Sequence, residues 1–193
     1  VDRDVAGAFG PLEAIGDAAP EEWIATLRVN VEGTFLTCGA FVPDMVAAGF
    51  GRVLNVTSAA SLHPPGALGS AYATSKAAVN QLTRHLAASL VGTGVTANVL
   101  HPGDVKTEMW ADIRARAAAL GPAGEPFTAW TDWVLATGGD PPEAAARLVL
   151  DVVQGDAARN GAFLWLDDPL QPPIPAWETA VEERPWENGD ARS

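Results

Sequence analysis

Tyr72 is the only tyrosine in this 193-residue chain, and Lys76, one of only two lysines, follows it by four residues. On a helix that spacing puts both side chains on one face, a turn apart. The chemistry it could do is proton transfer. A phenol ionises near pH 10, so at neutrality it gives up and regains a proton poorly. Lowering that value by about 3 units takes about 4 kcal/mol of preferential phenolate stabilisation. A neighbouring ammonium supplies favourable charge of the right sign. Further groups could share the site: the Ser58 hydroxyl and the run Pro102, Gly103, Val105 and Thr107.

The elements needed to position them are legible. "PEEWIATLRVNVEGTFLTCGAFVPDMVAAG" predicts a helix from Pro20 to Ala48, with Ile24, Leu27, Val31 and Phe35 as its apolar stripe. Gly33, Gly39 and Pro43 predict a kink or break in it, and Gly49 and Gly51 an end. "RVLNVTS" reads as a buried strand ending at Ser58, and "SAYATSKAAVNQLTRHLAASL" as a helix burying Tyr72, Val79, Leu82, Leu86 and Leu90. "GVTANVL" is a second strand stopped by Pro102 and Gly103. Residues 107–140 hold one or two short helices with Trp110, Trp130 and Trp133, expected to divide between core and pocket wall. "PPEAAARLVLDVV" starts a helix on proline, and "AFLWLDD" is a third strand. Alternating strands and helices define a parallel α/β sheet, whose ligands sit beyond the strands' carboxyl ends. Ser58, Tyr72, Lys76 and the Pro102–Thr107 run all fall at that end.

Composition narrows the field. Hydrophobic residues make up 48 % and charged residues 19 %, the balance of a folded globular chain. A formal charge of −12 counts against a nucleic-acid backbone or an anionic membrane as partner. Cys38 is the only cysteine, and no Cys/His cluster has metal-ligand spacing, so no metal site is expected. A reducing cytoplasm is the default location. His63, His85 and His101 read as loop, surface or turn residues. Residues 169–193 form a proline-rich acidic tail on which no structure is forced.

Four motifs in order, "VNVEG" with Asn30, "NVTS" with Ser58, "YATSK" with Tyr72 and Lys76, and "HPGDVKT", give the chain its resemblance to the short-chain dehydrogenase/reductase family. The resemblance covers about residues 1–168. It implies a Rossmann-like, doubly wound parallel sheet and a reversible alcohol–carbonyl interconversion with NAD or NADP, which the sequence does not choose between. It implies Tyr72 as acid/base, Lys76 as its charge partner and ribose ligand, Ser58 as hydrogen-bond donor to the substrate oxygen, and Asn30 as anchor of a relay water. Pro102, Gly103, Val105 and Thr107 would meet the nicotinamide. Ser58 stands 14 residues before Tyr72, one more than the common family spacing, so Ser61 remains the alternative donor. The helices at 20–48 and 70–91 form the subunit interface in many relatives, which implies a homodimer or homotetramer acting on a small-molecule alcohol or ketone.

Family members begin with a strand, a glycine-rich turn and a helix that cradle the cofactor pyrophosphate. The chain has no such fingerprint and is expected to be N-terminally truncated, with about three parallel strands remaining. Two functions stay open: an oxidoreductase represented by its catalytic and substrate-binding portion, or a non-catalytic remnant that binds no dinucleotide alone and only associates with itself or a full-length relative.

Overall fold

The computed structural model describes residues 7–155 and 159–166. The expected tail at 169–193 lies outside the described residues, as do the first six. The elements run α1 (Pro20–Leu27), a π turn (Arg28–Glu32), α2 (Gly33–Ala48), β1 (Gly51–Val56), α3 (Ser70–Ser89), β2 (Val95–Leu100), α4 (Glu108–Ala119), α5 (Glu125–Thr137), α6 (Pro142–Gln154) and β3 (Phe163–Leu164). The strands form one parallel sheet in the order β1-β2-β3, with Gly51 opposite Val95 and Val99 opposite Phe163.

The sheet is covered on both faces, and the strand alternation shows how. Val95 and Ala97 of β2 pack with Val53 against Ala87 of α3, Leu90 just beyond its end, and Val42 and Met45 of α2. Leu100, of opposite parity, packs with Leu54 and Leu164 against Leu148 and Val152 of α6. This is the expected doubly wound arrangement in miniature. β3 is shorter than its sequence suggests. Side-chain amides supply what its ladder lacks: Asn98 accepts from the Ala162 N–H at 3.0 Å, and Asn160 accepts from the Ala97 N–H at 2.9 Å and donates to Ala87 O at 2.9 Å.

The long first helix departs from expectation in two ways. It does not break: the backbone is helical through Leu27, Arg28, Glu32 and Gly33, and Pro43 lies inside α2. The irregularity is instead a π turn, in which the Gly33 N–H bonds Arg28 O five residues back. Nor is the apolar stripe uniformly buried: Leu27 and Val31 are half-buried, with Val31 packed on the core. Ile24 is 47 % and Phe35 59 % exposed, while the residues buried from these helices are Thr26 and Asn30. Gly49 ends α2 in the left-handed conformation, at φ 68°, as expected of a terminating glycine.

α3 shows the same inversion. Val79 is buried and Leu90 beyond the helix end is too, but Tyr72, Leu82 and Leu86 are half-buried. The face pressed into the molecule carries Ala71, Ser75, Lys76, Asn80, Thr83 and Ala87. A helix that hides a lysine, an asparagine, a serine and a threonine must satisfy them, and where it does so is the site.

Candidate active site

β1 stops at Val56, two residues before the expected end, and Ser58 instead caps a single 3-10 turn over Ala59–Ser61, its hydroxyl accepting the Ala60 N–H at 3.2 Å. The Ser58 side chain also bears on the Tyr72 phenol, favouring its ionised form. Ser61 is committed elsewhere: its hydroxyl donates to Ser58 O at 2.6 Å and accepts from Asn80 Nδ2 at 2.8 Å. Asn80 in turn bonds the Thr57 hydroxyl, so a buried polar cluster fixes the turn on which Ser58 stands.

Lys76 is only 6 % exposed. Its ammonium donates to Val56 O at 3.1 Å and lies 5.6 Å from the centre of the Tyr72 ring. The Thr57 N–H bonds Leu100 O across the sheet, so the Val56 carbonyl of the same peptide points away from β2, where Lys76 reaches it. Burial lowers the lysine from its usual value to about 8. It is still charged by roughly ten to one at pH 7. Tyr72 differs from the simple expectation of an ammonium-acidified phenol. Burial raises its pKa, and Ser58 offsets this only in part.

Asn30 sits in the π turn with both hydrogens of its side-chain amide donated. Its Oδ1 accepts the Ala8 N–H at 2.9 Å, and its Nδ2 donates to Ala8 O and to the Ser75 hydroxyl, both at 2.8 Å. Ser75 passes the connection on by donating to Tyr72 O at 2.7 Å. The sequence marks Asn30 but gives no sign that it holds the segment at residue 8.

The Pro102–Thr107 run follows β2. Gly103 has φ 85°, and a Cβ there would strike Leu166 and Asp140. The turn is clamped by Asp140, whose Oδ2 accepts the Asp104 N–H at 2.7 Å and whose N–H donates to Asp104 O at 3.1 Å. Trp130 Nε1 adds a bond to Asp104 Oδ1 at 3.0 Å. Val105 is half-buried, and Thr107 is the N-cap of α4, accepting the Trp110 N–H at 3.1 Å. His101 lies in the loop after β2, buried against Trp165 with ring centres 5.0 Å apart, and desolvation holds its pKa down. His63 and His85 are exposed, as is Trp133, whereas Trp110 and Trp130 are half-buried. Among the described residues no group of His, Cys, Asp and Glu could hold a metal ion.

The parallel α/β fold agrees with the comparisons. The short chain dehydrogenase family model matches residues 4–118, and the chain belongs to that family. Galactitol 2-dehydrogenase (L-tagatose-forming) of Cereibacter sphaeroides is 37 % identical over 147 residues, 75 % of this chain and 55 % of that protein. 2-(R)-hydroxypropyl-CoM dehydrogenase of Xanthobacter autotrophicus is 41 % identical over 107 residues, 54 % of this chain and 42 % of that protein. Among solved structures, gluconate 5-dehydrogenase of Burkholderia cenocepacia, in complex with NADP and tartrate, superposes with a TM-score of 0.67 at 26 % identity, covering 84 % of this chain and 61 % of that one. A point variant of actinorhodin polyketide ketoreductase with NADPH gives a TM-score of 0.70 at 27 % identity, covering 83 % and 62 %. The chain thus spans about half the length of these curated relatives.

Proposed function

We propose that residues 1–168 form the catalytic and substrate-binding part of an NAD(P)-dependent oxidoreductase that interconverts an alcohol and a carbonyl. The observation that carries this is the meeting of three groups: the Tyr72 phenol, the Ser58 hydroxyl that favours its ionised form, and the buried Lys76 ammonium 5.6 Å from the ring centre.

The chain's own residues fit the nicotinamide end of a dinucleotide. Lys76 offers a buried cation for a ribose, and Gly103 lets the turn take a left-handed backbone with Leu166 and Asp140 packed tightly against it. Val105 and Thr107 continue that wall, and Thr107, an acceptor in its cap bond, keeps a hydrogen to donate. Among the described residues no glycine-rich turn joins a strand to a helix to cradle the pyrophosphate. When bound, the cofactor supplies or accepts the hydride.

The protein's part is the proton. In reduction the Tyr72 O–H donates to the carbonyl oxygen while Ser58 hydrogen-bonds the same oxygen and holds it in line. A buried, neutral phenol suits that direction. In oxidation the phenolate must take the alcohol's proton, so more positive charge than the free chain provides is needed near the ring. With both side-chain amide hydrogens of Asn30 donated, its backbone oxygen, which accepts the Thr34 hydroxyl at 2.7 Å, has a second lone pair to hold a relay water.

The partner is a small-molecule alcohol or ketone. A cytoplasmic location is supported by the lone Cys38. No helix among the described residues is long and apolar enough to cross a membrane.

The lack of a pyrophosphate cradle among the described residues favours a second reading, a remnant that associates without catalysis. Titrating the chain with NADH and NADPH and following its tryptophan emission separates the two. Saturable quenching, with turnover of a ketone panel lost by about a hundredfold or more in Tyr72→Phe, is expected for the enzyme. No binding favours the remnant.

A further inference from the structure

Phe9 belongs to none of the four motifs, yet it stacks on the Tyr72 ring, with centres 4.8 Å apart and planes 29° apart. Phe127 of α5 meets Phe9 edge-on at 6.0 Å and 89°. A Cβ built on Gly69, the residue before α3, would lie 3.4 Å from Phe127 Cζ and 3.5 Å from Phe9 Cζ. Both outer rings therefore close over the start of the helix that carries Tyr72.

The placement of Phe9 is fixed from both sides. Asn30 holds the N–H and C=O of Ala8. Arg116 of α4 donates to Gly10 O at 2.7 Å. The same Asn30 amide holds Ser75, which holds the Tyr72 carbonyl, so one side chain registers the Phe9 segment against the turn of α3 that bears the phenol.

We propose that Phe9 is a positioning residue for Tyr72: it covers one face of the ring, excludes water from it, and, braced by Phe127, joins the phenol to the α4–α5 layer. This rests on Tyr72 being the acid–base group and deepens that reading. Two other neighbours act electrically on the phenol, the Lys76 ammonium of the same helix and the Ser58 hydroxyl beyond β1. From the residue 7–12 segment and from α5 the neighbours are the neutral rings of Phe9 and Phe127. Burial is the largest influence on this phenol and raises its pKa. Removing the cover should bring it down.

The chain reports this directly, because its one tyrosine gives one phenolate absorbance and one nitration product. The test compares wild type, Phe9→Ala, Phe9→Leu, Phe9→Trp and Phe127→Ala. The measurements are spectrophotometric titration and the rate of tetranitromethane nitration at pH 8, read as the mass of the Tyr72 peptide. Phe9→Ala should lower the titration midpoint by about half a unit and speed nitration about threefold, since nitration follows the phenolate fraction. Phe9→Leu and Phe127→Ala should move the same way by less, and Phe9→Trp should return toward wild type. Should Phe9→Ala fail to fold, as judged by circular dichroism, Phe9→Leu and Phe127→Ala decide the matter. Wild-type midpoints and nitration rates in folded variants overturn the proposal. Neither readout requires turnover, so an inactive chain that showed these shifts would refute the enzyme reading and leave the placement of Phe9 standing.

Discussion

Two serines compete for one role, and their hydrogen bonds separate them. Ser61 donates to Ser58 O and accepts from Asn80, whereas Ser58 is the serine that bears on the ionisation of the phenol. Ser58→Ala is therefore expected to lower kcat by about a hundredfold, the usual loss of an oxygen-orienting donor. Ser61→Ala should instead cost about 1–3 kcal/mol of stability, by stranding Asn80 Nδ2, and change kcat little. Steady-state kinetics with urea melts tests both. Lys76 gives a second prediction. Its folded pKa of about 8 lies below the ordinary 10.5, so the unfolded chain binds the proton more tightly. The penalty is fully present below about pH 8 and is relieved as pH rises to about 10.5. Lys76→Met should thus be more stable than wild type at pH 7, by at most about 3 kcal/mol, with the gap closing over that window. Urea melts at pH 7, 9 and 10.5 check the slope. Tyr72, whose folded pKa is raised, acts in the opposite sense, and its contribution is lost only above about pH 10.

At the scale of elements, sequence separation decides what can be read. Tyr72 and Lys76 lie within one turn of one helix, so their neighbourhood follows from spacing alone. Asp104 and Asp140 lie 36 residues apart, and only folding shows that the second clamps the turn built by the first. Phe9 is hidden from sequence for the same reason, its partner being Tyr72 on another element. The strands and helices themselves are legible because their apolar runs and glycine or proline ends are local. The π turn is not, because hydrogen bonding five residues back leaves no compositional trace, and Gly33 suggests a break. Burial on α1 to α3 escapes apolar spacing, since spacing is not contact and the inward face of α3 is largely polar. The Asp140 clamp yields its own prediction. Asp140→Ala leaves the Asp104 N–H without its acceptor and should cost about 1–3 kcal/mol. If the turn meets the nicotinamide, the KM for the cofactor should rise more than kcat falls; melts and cofactor titration of the rate give both numbers.

The whole molecule is defined as much by what it leaves uncovered as by its core. Phe35 and Leu36 are each 59 % and Phe41 61 % exposed on α2. Between α2 and α3 runs an apolar groove lined by Phe35, Val42, Pro43, Leu82 and Leu86. Faces of this kind on a folded chain are covered by something. The resemblance to the family implies a second copy as the cover, and the exposed Phe35, Leu36 and Phe41 of α2 are the residues it would bury. Phe41→Glu should therefore convert a dimer or tetramer to a monomer while leaving the circular dichroism spectrum unchanged. Light scattering on the eluting peak distinguishes the species.

The outer margin of β1 has one further effect. Its Thr57 and alternate residues direct their amides to β2, and those between, Leu54 and Val56, direct theirs away. Among the described residues no strand receives them. In heavy water the two sets should trade hydrogen for deuterium at rates differing by orders of magnitude, fast and slow alternating along six residues. Any strand supplied from outside that docks there would erase the fast set, making this margin a sensor for whatever completes the sheet.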